Sequence, residues 1–372
     1  MKKVIFALAA VVALAACSNE QTVSFDKGTA IGFDTFVENS TRSEYDPSYT
    51  NDNLFANFGV FGTVNGAKLF NNVAVTGSDI NGTWTYEGTQ YWITGAKYNF
   101  AAVAPKTVLV DGVETSVYTN PSYTVASSEV EGETVYSGTT TLSFVNNGTT
   151  DLLYAEATAV GLAGSGDAEN PANAKVGFNF RHVLSKVKFT FTNLYNASNA
   201  TIRVENIRIM DTYNSGVATL NNNTAWVPTS NSNNLVLNFG NAAVAAVDAE
   251  EAFACNAKKE SYNELLMIPG NGATAFDVNG ETMNGYTVKF NVVLLVSEQE
   301  IATYEHTIYT TFTPEAGHSY NIAASITPAN IDPATSQEAI VFTVSDITDW
   351  TNGNTVDTDD PADDVNDAYP IN

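Results

Sequence analysis

The sequence is short of base and nearly without the residues that build metal and redox sites. Lysine and arginine together number 16 against 41 acidic residues, with 3 histidines, 2 cysteines and a formal charge of −25. Binding to a phosphate backbone needs clustered cations, so nucleic acid is excluded as a partner. His182, His306 and His318 stand far apart. No His-x-His, Cys-x-x-Cys or Glu-x-x-His spacing is present to hold zinc, and each histidine reads as structural. Gly-rich phosphate loops, a G-x-S-x-G elbow and a dinucleotide fingerprint are also lacking. Carboxylates are plentiful, but in so acidic a chain their abundance carries no information. Nothing local pairs two of them as an acid–base glycosidase requires. These absences predict a protein that is not an enzyme and uses neither cofactor nor metal.

Long apolar runs are missing too. Residues 4–16 fall short of the ~20 that span a membrane, and no later run qualifies. That stretch follows Lys2 and Lys3 and ends in Leu14-Ala15-Ala16-Cys17. A charged start, an apolar middle and small residues before a cysteine look like a bacterial lipoprotein signal over residues 1–16. Cys17 is then the acylated first residue of the mature chain, and attachment to the outer membrane rests on its lipid (palmitate). Each buried methylene contributes ~0.8 kcal/mol, so stable anchoring needs more than one acyl chain. Removing the signal takes away two lysines and no acid. The remaining anionic surface suits an exported protein that resists non-specific sticking. Cys255 is left without an internal disulfide partner and with no cation or histidine beside it, and reads as a small buried hydrophobe.

What the chain does have is threonine, valine, tyrosine and phenylalanine in alternating stretches, broken by Asn/Gly/Asp clusters about every ten residues. Only residues 242–252, rich in alanine, offer a helical window. Val23, Phe25, Ile31 and Phe33 share one face of a first strand, with Gly28 at a bulge. Further strands are expected over residues 54–63, 98–104, 176–191, 201–210, 235–239, 265–269, 286–296, 303–312, 320–326 and 340–344. Asn65-Gly66 is a turn signal. Residues 81–92 read as a hairpin turning at Glu87-Gly88, and residues 106–150 as turn-rich loops with short strands. Residues 151–155 form a short buried piece. Lys186, Lys188, Arg203 and Arg208 fall on outward faces, as in a half-exposed antiparallel sheet. The architecture expected is all-β: two antiparallel β-sandwiches in tandem, residues 17–183 and 184–350, with an acidic, disordered tail over 351–372.

Trp84, Tyr86, Tyr91 and Trp92 could stack on a sugar ring, which would make the chain a surface glycan-binding lipoprotein. They could equally pack as cross-strand pairs.

Several segments, in order along the chain, carry a resemblance. They are the Leu14-Ala15-Ala16-Cys17 lipobox, the Ile31-Gly32-Phe33 strand leading to Thr41-Arg42, residues 98–105, residues 151–155, residues 180–187, Leu266-Met267-Ile268-Pro269, Tyr320-Asn321-Ile322 and residues 344–350. In this series the chain resembles the Mfa-like fimbrillin family, the pilins and pilus-associated lipoproteins of Gram-negative gut and mouth anaerobes. The resemblance implies two transthyretin-like sandwiches and a lipidated precursor. It implies cleavage by an arginine-specific protease between Arg42 and Ser43. The displaced strand would then be the one bearing Val23, Phe25, Ile31 and Phe33. A C-terminal strand of another subunit would fill the slot, with Ile340, Phe342 and Val344 as the donor set here. Partners so implied are other pilin subunits, the outer membrane through Cys17, and surface glycans or proteins of a host or another bacterium. The function expected is that of a fimbrial subunit or accessory pilin of the cell surface, assembled by strand exchange and serving adhesion. If residues 340–344 are instead the fixed last strand of their own domain, a tip or anchor role follows.

Overall fold

The computed structural model describes residues 29–37, 56–77, 84–160, 175–229, 235–242, 252–272, 274–278, 281–335 and 338–347. In chain order the strands are β1 (Gly32–Val37), β2 (Asn57–Val64), β3 (Ala67–Thr76), β4 (Thr85–Tyr86), β5 (Lys97–Ala104), β6 (Thr107–Val110), β7 (Val113–Ser116) and β8 (Tyr118–Val130). They continue with β9 (Glu133–Val145), β10 (Leu153–Val160), β11 (Lys175–His182), β12 (Ser185–Asn193), β13 (Ala200–Thr212), β14 (Ser215–Leu220), β15 (Ala225–Thr229) and β16 (Leu235–Gly240). The last are β17 (Phe253–Ala254), β18 (Lys258–Glu260), β19 (Leu265–Met267), β20 (Thr274–Val278), β21 (Glu281–Val296), β22 (Gln299–Thr310), β23 (Ser319–Ile326) and β24 (Phe342–Ile347). The described residues are all-β, and no helix among them is long and apolar enough to cross a membrane.

A 7-stranded sheet runs β1-β11-β10-β5-β2-β3-β4. Its central strands β2 and β5 are buried almost throughout, as their continuous apolar runs require. The β2–β3 turn is Asn65-Gly66, both with positive φ (47° and 78°), as the sequence predicts. One face of the sheet encloses Phe33, Phe58, Phe70, Phe100 and Phe178. The other packs Phe61, Val103 and Tyr154 against Leu142, Phe144 and Ala218 of a 4-stranded sheet, β15-β14-β9-β8. The C-terminal half is a sandwich of two sheets, β18-β12-β23-β24 with β19, and β16-β13-β21-β20 with β17 and β22. Its core holds Phe189, Phe191, Ile322 and Phe342 from one layer and Ile202, Val204, Val288 and Phe290 from the other.

The halves interlock. The β14–β15 hairpin follows β13 in the chain, yet β14 pairs with β9 from Ser215↔Val145 to Leu220↔Thr140. The Trp226 indole donates to the Val183 carbonyl (2.7 Å), and Leu266 and Ile268 share a core cluster with Phe61.

Several expectations need correction. Residues 106–150 are not loops with short strands: β8 and β9 are 13 residues each. Their outward positions carry small hydroxylated residues, which weakens the apolar alternation that marks a strand. Of the hairpin expected over residues 81–92, the described residues 84–92 do not pair with one another. β4 pairs with β3, and Tyr91 makes a bridge to Ala30. Two pairings are parallel, β1 with β11 and β12 with β23, in sheets otherwise antiparallel. Lys186 does not stand outward in solvent. It is 9 % exposed and reaches Glu264 at 3.1 Å. Cys255 is half-buried, beside exposed Ala254 and Asn256, rather than fully buried. The first strand begins at Gly32 among the described residues, so the shared face continues from Phe33 to Thr35. Val23, Phe25 and Gly28 lie outside the described residues, as do nearly all of 242–252 and the tail over 351–372.

Candidate functional site

The site is the slot that holds the start of the described chain. Ile31 and Phe33 are each 1 % exposed, although β1 is the last strand in its sheet. A terminal strand buries such side chains only when something closes over it, and here the sheet curls until its two edges meet. On one side β1 pairs in parallel with β11, from Gly32↔Lys175 to Val37↔Phe180. On the other, the segment after β4 supplies a second set of backbone partners. The Ile31 amide donates to the Gln90 carbonyl (2.9 Å), and the Trp92 amide donates to the Thr29 carbonyl (3.0 Å). The Tyr86 hydroxyl donates to the Ile31 carbonyl (2.8 Å) and accepts from the Gln90 amide (3.1 Å). Burial pushes the Tyr86 hydroxyl above its ordinary pKa, so it stays a donor at any physiological pH.

The floor of the slot is aromatic. The Phe33 ring stacks on Phe178 at 5.7 Å between centroids and meets Tyr86 at 5.4 Å and Phe70 at 5.7 Å, both at steep angles. Phe58 and Phe100 complete the surround at 6.4 and 6.2 Å. Edge-to-face and offset pairs at these spacings add ~0.5–1.5 kcal/mol each beyond their area. At the rim, Lys175 pairs with Asp34 at 2.9 Å, tying β1 to β11 across the surface. Thr35, 5 % exposed, points its Oγ1 inward with no hydrogen-bond partner among the described residues. The slot thus offers hydrogen-bonding backbone on both sides and rings beneath, which is what an inserted strand needs.

Of the residues expected to leave with the first strand, Ile31 and Phe33 sit in this slot. The lipidation residue Cys17 and the Arg42–Ser43 cleavage point fall outside the described residues. Sequence reading did not single out Tyr86, Gln90 or Phe178 as the other side of the slot. Tyr86, expected with Trp84, Tyr91 and Trp92 in an aromatic platform, lines the slot instead. That platform does not exist: Trp84 is 6 % exposed with its ring 4.9 Å from Phe58, and Trp92 packs 4.8 Å from Tyr98. Only Tyr91 of the four is exposed.

The donor set occupies its own chain. Ile340 and Phe342 are 5 % and 1 % exposed, and Val344 packs against the same cluster. β24 pairs antiparallel with β23, and Phe342 lies 5.9 Å from Phe189 and 6.1 Å from Phe290. The histidines are placed by packing and hydrogen bonds. His182 Nδ1 meets the fully buried Asp151 carboxylate at 2.5 Å, beside the Leu152–Val183 backbone contact. His306 stacks on Phe290 at 5.1 Å, with Nε2 3.0 Å from the Ile331 carbonyl. His318 lies 3.8 Å from Glu315. Among the described residues no group of three or more His, Cys, Asp or Glu could hold a metal ion.

A model of fimbrillin-like proteins matches residues 41–350. The chain belongs to the fimbrillin-like family. This is a family of fimbrial structural and adhesion proteins at the cell surface, not of enzymes. The crystal structure of a fimbrial protein from Bacteroides vulgatus is similar in fold, with a TM-score of 0.52 at 17 % identity over 85 % of this chain and 98 % of that one. The fimbrial anchor protein Mfa2 of Porphyromonas gingivalis aligns over 85 % of this chain and 96 % of its own. The two share 10 % identity, with a TM-score of 0.31. No curated protein matches in sequence.

Proposed function

We propose that this fimbrillin-like chain is a fimbrial subunit or accessory pilin. Lipid on Cys17 holds it at the outer membrane, and exchange of its first strand joins it to other pilin subunits. It serves adhesion to surface glycans or proteins of a host or another bacterium. The observation that carries the reading is the slot: β1 lies between two sets of backbone partners over a floor of rings, at the end of its sheet. Withdrawing it exposes Ile31 and Phe33 sites worth roughly 3–6 kcal/mol gross, which a neighbour's strand would recover. Arg42 lies between β1 and β2 in the chain, so cleavage before Ser43 frees the strand without cutting into the rest of the sheet.

The seat of Ile340, Phe342 and Val344 bears on position in a fibre. Because they fill their own sandwich, this chain receives a strand more readily than it gives one. That favours a tip or anchor position over a repeating stalk subunit. Two tandem units, 17–183 and 184–350, remain the division proposed, bridged by the β14–β15 hairpin.

The test is digestion of the precursor with an arginine-specific protease. N-terminal sequencing should find a chain starting at Ser43. The cleaved protein should rebind a synthetic peptide of residues 23–37 and form SDS-resistant species with intact pilin subunits. Persistent monomers that ignore the peptide would reject strand exchange.

A further inference from the structure

A sheet face with a single, paired charge at its end stands out in a chain of net charge −25. On β9 the outward positions are Val135, Ser137, Thr139, Thr141, Ser143 and Val145. The positions paired with them on β8 and β14, and those on β15 beyond, carry only serine, threonine, alanine and valine. Val145, Val217 and Val227 are 71, 39 and 65 % exposed on it. Among the described residues of this face the one charge is Glu133 at the hairpin end, and it is paired with Lys97 at 3.1 Å. The outer face of β13, β21 and β22 is the opposite case, bearing Arg203, Arg208, Lys289 and Glu305.

We infer that this neutral face is a self-association surface, on which a second copy of the chain packs sheet to sheet. Electrostatics selects that occupant. Two copies, each strongly anionic, repel wherever carboxylates approach within a Debye length of ~8–10 Å, and a neutral flat face is where they can meet. A sugar ligand would want an aromatic platform, but Phe144 and Trp226 point to the opposite side of the sheet, 6.1 Å apart against the core. Four strands at ~4.8 Å spacing, two of them ~44 Å long, present roughly 600 Å² in projection. A standard interface takes ~800 Å² per partner, so one pair of faces binds weakly. Along a fibre such contacts repeat and add by avidity, so fibres would bundle side by side. That last consequence rests on the fimbrial reading; the pairing itself does not.

The experiment is sedimentation of the full chain carrying Cys17→Ala, to exclude lipid, with the first strand left in place so that strand exchange plays no part. The expected result is a concentration-dependent dimer that strengthens between ~0.05 and ~0.5 M salt as net repulsion is screened. Thr141→Glu, and separately Val227→Glu, should weaken it about tenfold or more by burying a carboxylate without a partner. Thr307→Glu, on the charged outer face, should leave it unchanged. Thermal melts of all three check folding. A monomer at every concentration, a dimer that fades with salt, or a dimer unaffected by both face variants would each overturn the inference.

Discussion

Replacing Phe33 by alanine removes the ring around which Phe58, Phe70, Tyr86, Phe100 and Phe178 gather. Loss of a buried phenylalanine leaves a cavity and costs about 3–5 kcal/mol. The variant should unfold earlier in denaturant by that margin, and peptide of residues 23–37 carrying the same change should fail to rebind the cleaved chain. His306 sets a pH dependence. Its ring is 4 % exposed against Phe290, and burial lowers its pKa despite the Ile331 carbonyl and the nearby Asp332, which favour the charged form. With the folded value depressed, the unfolded chain binds the proton more readily. Stability is therefore full above ~6.5 and is lost as pH falls from there toward the folded value. Chemical denaturation between about pH 7 and pH 5 should show this slope, and His306→Gln should flatten it.

At the scale of elements, β2 is explained by its neighbours. A Cβ on Gly59 would lie 2.2 Å from Asn72 Oδ1 and 2.3 Å from the Tyr118 hydroxyl, which hydrogen-bond each other at 2.8 Å. Gly59→Ala should break that bond and cost about 1–3 kcal/mol, read as a lowered melting temperature. Strands such as β5, β12 and β23 were legible in the sequence because their inward positions are unbroken Phe, Val, Ile, Tyr and Ala. β8 and β9 were not, because Ser, Thr, Ala and Gly fill most positions between Tyr123 and Leu142 and break the apolar alternation. The hairpin β14–β15 was missed for a different reason: of its inward positions Gly216, Ala218 and Leu220, the first two are small, Gly216 lying against Trp226, so the strand gives little apolar signal. The slot was half legible. Ile31 and Phe33 declared a buried face, but alternation within a strand says nothing about which distant segment lies beside it. The partners Tyr86, Gln90 and Lys175 come from residues 55 to 144 positions away from Ile31, and the parallel pairing with β11 has no local signature at all.

For the molecule as a whole, composition bears most directly on the class of function. Few histidines and no ligand spacing point away from catalysis, and membership of the fimbrillin-like family accords with that. The same charge excess has a thermodynamic signature. Self-repulsion of a chain at −25 is relieved by counter-ions, so raising salt from ~0.01 to ~0.15 M should raise the calorimetric melting temperature. Local pairs such as Lys175–Asp34 oppose this only weakly, being exposed and already worth little.

The crossover of the β14–β15 hairpin has a mechanical side. A surface filament in moving fluid is under tension, and a chain built as two loose beads would lengthen by letting them swing apart. Here a ladder from Ser215↔Val145 to Leu220↔Thr140 staples the halves, and the Trp226 indole adds a rivet on the Val183 carbonyl. In the fimbrial role proposed above, tension pulling the halves apart would have to break that ladder before they could part.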